Sequence, residues 1–278
     1  MQKRFFEYAK RKSRLTWRGF RESLGIRNHV HYRYEDCSLP IEVFDRALKV
    51  SRISPTKAKE FDYRFERTRS EIFLRFNPGK SLAELIGICL GDGHLRPYTL
   101  SIFGDKSKDT VYLLNHVLPL MRKVLKKSPR LSTSRRDENF LVLYSASAAR
   151  SLHRLGLPFG NKIKQGARIP RWVFRNESYL RACLRGLFDT DGCVYGFLRK
   201  PPSRGSKAII SFEFGKGSFL AKDAQRALGR LGYLPRMMPH RNECRLAFNE
   251  DTVRFMREIK PANEKHWENF LRWHGPVV

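Results

Sequence analysis

Carboxylates are scarce in this chain: 27 Asp and Glu stand against 55 Lys and Arg in 278 residues, a formal charge of +28. The imbalance far exceeds what solubility requires and implies a polyanionic partner, with nucleic acid first and a membrane surface second. Long apolar runs are also missing. No stretch of some 18 apolar residues is present to span a bilayer, and the N-terminus lacks the apolar core of a signal peptide, so the expectation is a soluble, intracellular protein with no membrane partner. Close cysteine pairs are absent too. Cys37, Cys89, Cys183, Cys193 and Cys244 form no Cys-x-x-Cys, which argues against a disulfide framework or a zinc site, and His29 and His31 have no further ligands nearby. A hydrophobic fraction of 41% with periodicity along most of the chain means a folded protein with one large core or two smaller ones.

The chain does contain a repeat. Leu85-Ile86-Gly87-Ile88-Cys89-Leu90-Gly91-Asp92-Gly93-His94 and Leu184-Arg185-Gly186-Leu187-Phe188-Asp189-Thr190-Asp191-Gly192-Cys193 are alike and lie 99 positions apart. Each has apolar residues at helical spacing and closes on Asp-Gly, which predicts a helix terminated at Gly93 or Gly192 by glycine in the left-handed conformation. Gly87 and Gly91 are four apart, as are Gly186 and Thr190, so each helix offers a face of small residues along which the other can pack. Asp92 and Asp191 would then sit side by side at helix C-termini, where macrodipole and mutual repulsion both disfavour carboxylates, by roughly 0.3 to 1 kcal/mol for the dipole alone. A divalent cation held by hard oxygen ligands reverses both penalties. An EF-hand reading of Asp189 to Gly192 fails, because Lys200 stands where that loop needs its bidentate Glu.

These two stretches resemble the paired motifs of single-chain LAGLIDADG homing endonucleases. The second matches at Leu184, Gly186, Leu187, Asp189, Asp191 and Gly192; the first matches at Leu85, Gly87, Asp92 and Gly93, with Leu90 departing where the family has Asp. The resemblance implies an α+β fold of two pseudo-symmetric αββαββα units packed through their motif helices, whose antiparallel sheets form a DNA-binding saddle. It implies a monomeric, site-specific double-strand DNA endonuclease with a long asymmetric target. It also implies magnesium, with manganese as a substitute, held by Asp92 and Asp191 and by the carbonyls of Gly91 and Thr190. Lys106 and Lys216, each after a second strand in Phe103-Gly104-Asp105-Lys106 and Phe214-Gly215-Lys216, carry over as catalytic lysines. A non-cleaving transcription regulator of the same fold and an intron-RNA maturase are the alternatives. The ends of the chain, Met1 and Gly275 to Val278, lack the residues of a protein-splicing element.

In chain order, residues 1–38 read as a solvated basic arm, and 39–80 as short helices resembling a helix-turn-helix, with Ser54-Pro55 starting a helix that carries Ala58, Phe61 and Phe65. Ser81 with Glu84 reads as a capping box for the first motif helix. The first repeat unit spans 81–156, with a helix capped by Ser107; a basic linker spans 157–177 and includes Lys162, Lys164, Arg168 and Arg171; the second unit spans 178–278. Alternation in the strands places Arg130, Ser132, Ser134 and Arg136 on one face of the first sheet, with Arg236, Arg241 and Arg245 as candidates in the second. The hairpin loop and its flanks add Arg199, Lys200, Arg204 and Lys207. Arginine can read guanine edges bidentately while lysine mostly meets phosphate, so these are the expected DNA contacts.

Overall fold

Phe5, Phe6 and Ala9 recur along one helix face, and in the computed structural model of the protein they are buried on α1 (Gln2–Ser13). The structure describes residues 2–27, 40–58, 76, 78–134, 138–198 and 206–274. The chain divides into two units, one from residues 1–74 with 145–147, the other from 75–144 with 148–278. In the first, α2 (Trp17–Leu24) is capped by Thr16, whose hydroxyl accepts from Gly19 N at 3.1 Å, and α3 (Ile41–Ser51) and α4 (Pro55–Ala58) follow. Phe5, Phe6, Phe20 and Phe44 are fully buried together. Residues 2–13 and 17–24, expected as part of a solvated arm, are therefore helical, because their aromatic residues share a face and outweigh the basic residues between them. Ser54 accepts from Lys57 N at 3.2 Å, as its capping role requires. Phe61 and Phe65, like His29, His31 and Cys37, lie outside the described residues.

The second unit holds the repeat, apart from residues 145–147. The first motif helix, α5 (Lys80–Gly91), leads into β1 (Gly93–Arg96) and β2 (Thr99–Asp105). A helical stretch follows as α6 (Thr110–Tyr112), a π-helical turn (Leu113–Val117) and α7 (Leu118–Leu125), then β3 (Arg130–Thr133), β4 (Glu138–Tyr144) and α8 (Ala146–Arg154). The same order recurs as the second motif helix α9 (Glu177–Asp191), β5 (Gly192–Leu198), β6 (Ser206–Glu213), α10 (Leu220–Arg230), β7 (Arg236–Met238), β8 (Glu243–Leu246) and α11 (Asn249–Ile259). Both sheets are fully antiparallel, with orders β1-β2-β4-β3 and β5-β6-β8-β7. One face of each is apolar: Leu95, Leu100, Ile102, Leu141 and Leu143 in the first, Val194, Ile210, Phe212, Cys244 and Leu246 in the second. A last helix, α12 (Glu264–His274), has no counterpart in the sequence reading.

α5 and α9 pack on each other through their glycines. A Cβ on Gly87 would run into the Cys183 carbonyl oxygen and come within 2.9 Å of Leu187 N; one on Gly186 would run into the Glu84 carbonyl oxygen and come within 2.9 Å of Ile88 N. These contacts are reciprocal under the 99-residue offset, the mark of pseudo-two-fold packing.

Three local expectations need correction. Neither Gly93 nor Gly192 is left-handed: Gly192 has φ −87° and ψ 154° and opens a strand. Glycine is required there because a Cβ would strike the preceding turn, at 2.5 Å from Cys89 Cα or 2.6 Å from a Phe188 ring carbon. No side chain caps α5, which starts after Gly79; Glu84 is buried instead, 2.6 Å from His116 Nε2 and paired with Arg185. Ser107 starts no helix, because its N–H and hydroxyl both donate to Asp105 Oδ1, at 2.9 and 2.6 Å.

Candidate metal and nucleic-acid site

The approach of α5 to α9 brings the ends of both motifs together. Asp92 and Asp191 are half-buried, and the Cβ that Gly91 lacks would lie 2.6 Å from Asp191 Oδ2. Burial pushes Asp191 up to about 7, with the Asp92 charge adding to it, while burial also raises Asp92. Two carboxylates that resist ionisation beside one another are what a cation-binding pair looks like before the cation is counted. A cleft of about 820 Å³ opens here, lined by Asp92, Thr190, Lys106, Asp105, Asp109 and Glu138 among others. Lys106 is exposed at its rim. Lys216, exposed after β6, is not among the lining residues.

A lysine of the linker, Lys162, enters this site. Lys162 donates from Nζ to the Gly91 carbonyl and lies 3.5 Å from the Cys89 carbonyl, at the negative end of α5. Burial lowers its ammonium from the ordinary lysine value, and the charges of Asp191 and Asp92 work against that fall. Lys265 occupies the corresponding place after the closing helix of the second repeat and also acts on both carboxylates. It is held differently, with Nζ 2.8 Å from Asp109 Oδ1, which also accepts from Asn263 Nδ2 at 2.8 Å. Burial raises Asp109, yet these bonds prevail and keep it below its ordinary value.

The two halves differ for a reason visible in the motif. Asp189 accepts from Ala262 N at 3.0 Å and from Asn263 N at 3.1 Å, fixing the turn before Lys265. Its counterpart in the first motif is Leu90, which is buried and has no acceptor to offer the segment that carries Lys162. A signal for both lysines does exist in the sequence: Asn161-Lys162 and Asn263-Glu264-Lys265 each follow the last helix of a repeat.

On the open face of the first sheet, Arg130 stands opposite Val142 and Ser132 opposite Phe140, in register with His94, Ser101 and Phe103. Ser134 follows β3, its N–H donating to Glu138 O at 2.8 Å. In the second sheet Arg236 pairs with Arg245 on the corresponding face, and Arg241 is exposed in a 3-10 turn (Pro239–Arg241). Arg245 is already engaged by Glu243, at 2.6 and 2.8 Å, and Glu243 also accepts from Ser211 and Tyr195. Arg236 lies 4.8 Å over the Phe248 ring. The backbone of Lys207 lies in β6 opposite Phe197; Arg136, Arg199, Lys200 and Arg204 fall outside the described residues.

Beneath the site, His266 is 1% exposed, its ring 4.4 Å from that of Phe188. Burial, aided by Lys265, pushes it down to about 4. A histidine kept neutral in the fold but free to protonate when unfolded contributes stability above its unfolded value, near 6.5, that is lost as pH falls toward 4. Asp189 and Asp191 titrate in the opposite sense, so the effect is isolated by a variant. Urea unfolding of His266→Gln against the parent should show a stability difference that shrinks by roughly 2 kcal/mol between pH 7 and pH 5; a difference independent of pH would show that His266 is not held neutral.

No protein-family model matches the chain. It is 30% identical over 156 residues to the tRNA-splicing ligase RtcB of Methanopyrus kandleri, covering 50% of this chain and 16% of that protein. It is 26% identical over 183 residues to RtcB of Pyrococcus abyssi, covering 61% and 19%. The chain thus spans less than a fifth of the length of these relatives. Among solved structures it is similar to the homing endonuclease I-DmoI (TM-score 0.44, 15% identity, 65% of this chain and 94% of that one) and to the N-terminal LAGLIDADG domain of DUF199/WhiA (0.44, 15%, 70% and 94%). It is also similar to the LAGLIDADG meganuclease I-AabMI, bound to uncleaved DNA (TM-score 0.47, 12% identity, 67% and 86%).

Proposed function

We propose that the chain is a metal-dependent endonuclease that cuts double-stranded DNA at a long asymmetric site and acts as a monomer. The observation that carries this reading is the meeting of Asp92, Asp191 and Lys162 at the ends of two glycine-packed helices, each of which leads directly into a sheet, in a strongly basic protein. The donor set fits a hard divalent cation: two carboxylates raised by burial, Asp191 further by the charge of Asp92, with the carbonyls of Gly91 and Thr190 as the additional donors that the motif resemblance implies. Magnesium, or manganese in its place, would supply Lewis acidity toward a phosphodiester oxygen and a more acidic water. The chain itself supplies the rest. Lys162 presents a fixed ammonium where charge develops on phosphate oxygens, and Lys106 at the rim of the cleft can meet the backbone next to the scissile bond. Arg130, Ser132, Arg236 and Arg241 lie on the faces or turns that would track the duplex, and the differing halves suit a target without two-fold symmetry.

One observation favours a second reading, a DNA-binding regulator that does not cut. Lys162 already rests on the Gly91 carbonyl and supplies a counter-charge that a metal ion would otherwise bring. Selection of cut ends from a randomised duplex library, with and without magnesium, separates the two. The endonuclease reading expects one asymmetric site, cut only with metal, about 100-fold more slowly by Lys162→Met, and bound equally well by both proteins at equal salt. Retention of one duplex with no cutting under any metal would establish the regulator instead.

A further inference from the structure

Glu84, His116 and Asp189 form a cluster that shares no residue with the carboxylate pair, although Asp189 is two residues from Asp191 on α9, and one donor atom from each comes within 4.8 Å of the others. Glu84 is eight residues ahead of Asp92, about 12 Å along α5 at helical rise. His116 is carried by the π-helical turn, a feature that often marks functional positions because it displaces side chains from the regular helical register. The surroundings are unusual in what they leave unpaired. Among the described residues, four buried side-chain polar atoms lack a partner, and three belong to this neighbourhood: Tyr112 Oη, Arg185 Nε and His266 Nδ1. Tyr112 is 6% exposed, stacks on the His116 ring at 5.5 Å, and feels the charges of Asp189 and Glu84. Buried orphan groups of this kind ordinarily mark a water or an ion. A cavity of about 490 Å³, lined by Tyr112, His116 and Asn263, opens beside the cluster.

We propose that Glu84, His116 and Asp189 form a second metal centre, of the zinc class, that clamps the two motif helices to the π-helical turn. Two carboxylates with an imidazole suit a borderline transition ion better than magnesium, and tetrahedral bonds near 2.0–2.2 Å set donor atoms about 3.4 Å apart. The Glu84–His116 separation of 2.6 Å opens to that value with a small side-chain shift. Arg185 occupies the other oxygen of Glu84, and both oxygens of Asp189 accept from the Ala262 and Asn263 amides, so a cation would take the lone pairs that these bonds leave free. The Tyr112 hydroxyl, buried without a partner of its own, is the group available to a water on the ion. This centre does not depend on the cleavage reading, since its ligands are separate from Asp92 and Asp191.

The full chain, stripped of metal, is titrated with Zn2+ by equilibrium dialysis and with Co2+ by visible ligand-field absorption. In the Asp92→Asn/Asp191→Asn background, which removes the other carboxylate pair, one equivalent should still bind, weaken at least 10-fold on adding Glu84→Gln, and disappear on adding His116→Ala. His116→Cys should restore binding and add a thiolate-to-cobalt band in the near ultraviolet, which decides the matter even where His116→Ala fails to fold. No stoichiometric binding, binding lost only with Asp92 and Asp191, or a cobalt spectrum unchanged in His116→Cys would each overturn the proposal.

Discussion

Asp92→Asn and Asp191→Asn should each abolish metal-dependent cleavage while making the metal-free protein more stable. A carboxylate that holds the cation contributes several kcal/mol to a phosphoryl transition state, on the order of 1,000-fold in rate for each ligand removed. The same carboxylate opposes folding. Burial and the neighbouring Asp92 raise Asp191 to about 7, so the fold prefers its protonated form. A carboxyl raised in the fold contributes stability below its unfolded value, near 3.8, and that contribution is lost as pH rises through 7. Above pH 7 the parent therefore carries an ionised Asp191 against the preference of its surroundings, a cost that the neutral amide of the Asp191→Asn variant avoids. The group is half-buried and Lys162 offsets part of the effect, so the gain is about 1–2 kcal/mol at pH 8, vanishing by pH 4. Urea midpoints at the two pH values, taken beside cleavage rates, measure both halves. Loss of activity with equal loss of stability at pH 8 would mean that the carboxylates are structural. Magnesium should narrow the stability gap by stabilising only the parent.

What could be read from the chain alone was whatever the duplication repeated. The two motif helices, their glycine faces and the strand pairs that follow each one recur at a fixed offset, so each copy checked the other. The unrepeated features were harder to read. Glu84 has the spacing of a capping residue, and only the fold shows that it lies inward between His116 and Arg185. Lys162 sits among basic linker residues that look alike in sequence; its burial comes from a turn that returns the chain to the end of α5, a contact 71 residues distant. The π-helical turn is invisible to a 3.6-residue pattern. Gly93 and Gly192 were legible as necessary glycines but for another reason, since steric contact with the preceding turn and a left-handed cap both select the residue without a Cβ. Charge misled at the N-terminus, where Lys and Arg between Phe5, Phe6 and Phe20 suggested a solvated arm although the aromatic residues fix a helical core.

The packing of α5 on α9 yields the second large effect. Gly186→Ala and Gly87→Ala should each destabilise the protein by about 3 kcal/mol or more, against the usual trend of such changes. Helix propensity alone favours alanine over an interior glycine by about 1 kcal/mol, partly through the unfolded chain. Steric contact points the other way. The new methyl at position 186 would overlap the Glu84 carbonyl oxygen and crowd Ile88 N, and the one at 87 would overlap the Cys183 carbonyl oxygen. Backbone atoms cannot swing aside as a flexible side chain can, so the helices must separate. Separation opens a gap along Leu85, Ile88, Leu184 and Leu187, all fully buried, and forfeits contacts on both sides. It also draws Asp92 away from Asp191, so the variants should lose magnesium-induced stabilisation together with stability. Gly229→Ala on α10 provides the control, because a Cβ there meets nothing within 4 Å and should show the propensity gain alone. If Gly186→Ala instead behaves like Gly229→Ala, the motif helices are not in backbone contact, and the close meeting of the two carboxylates falls with that packing.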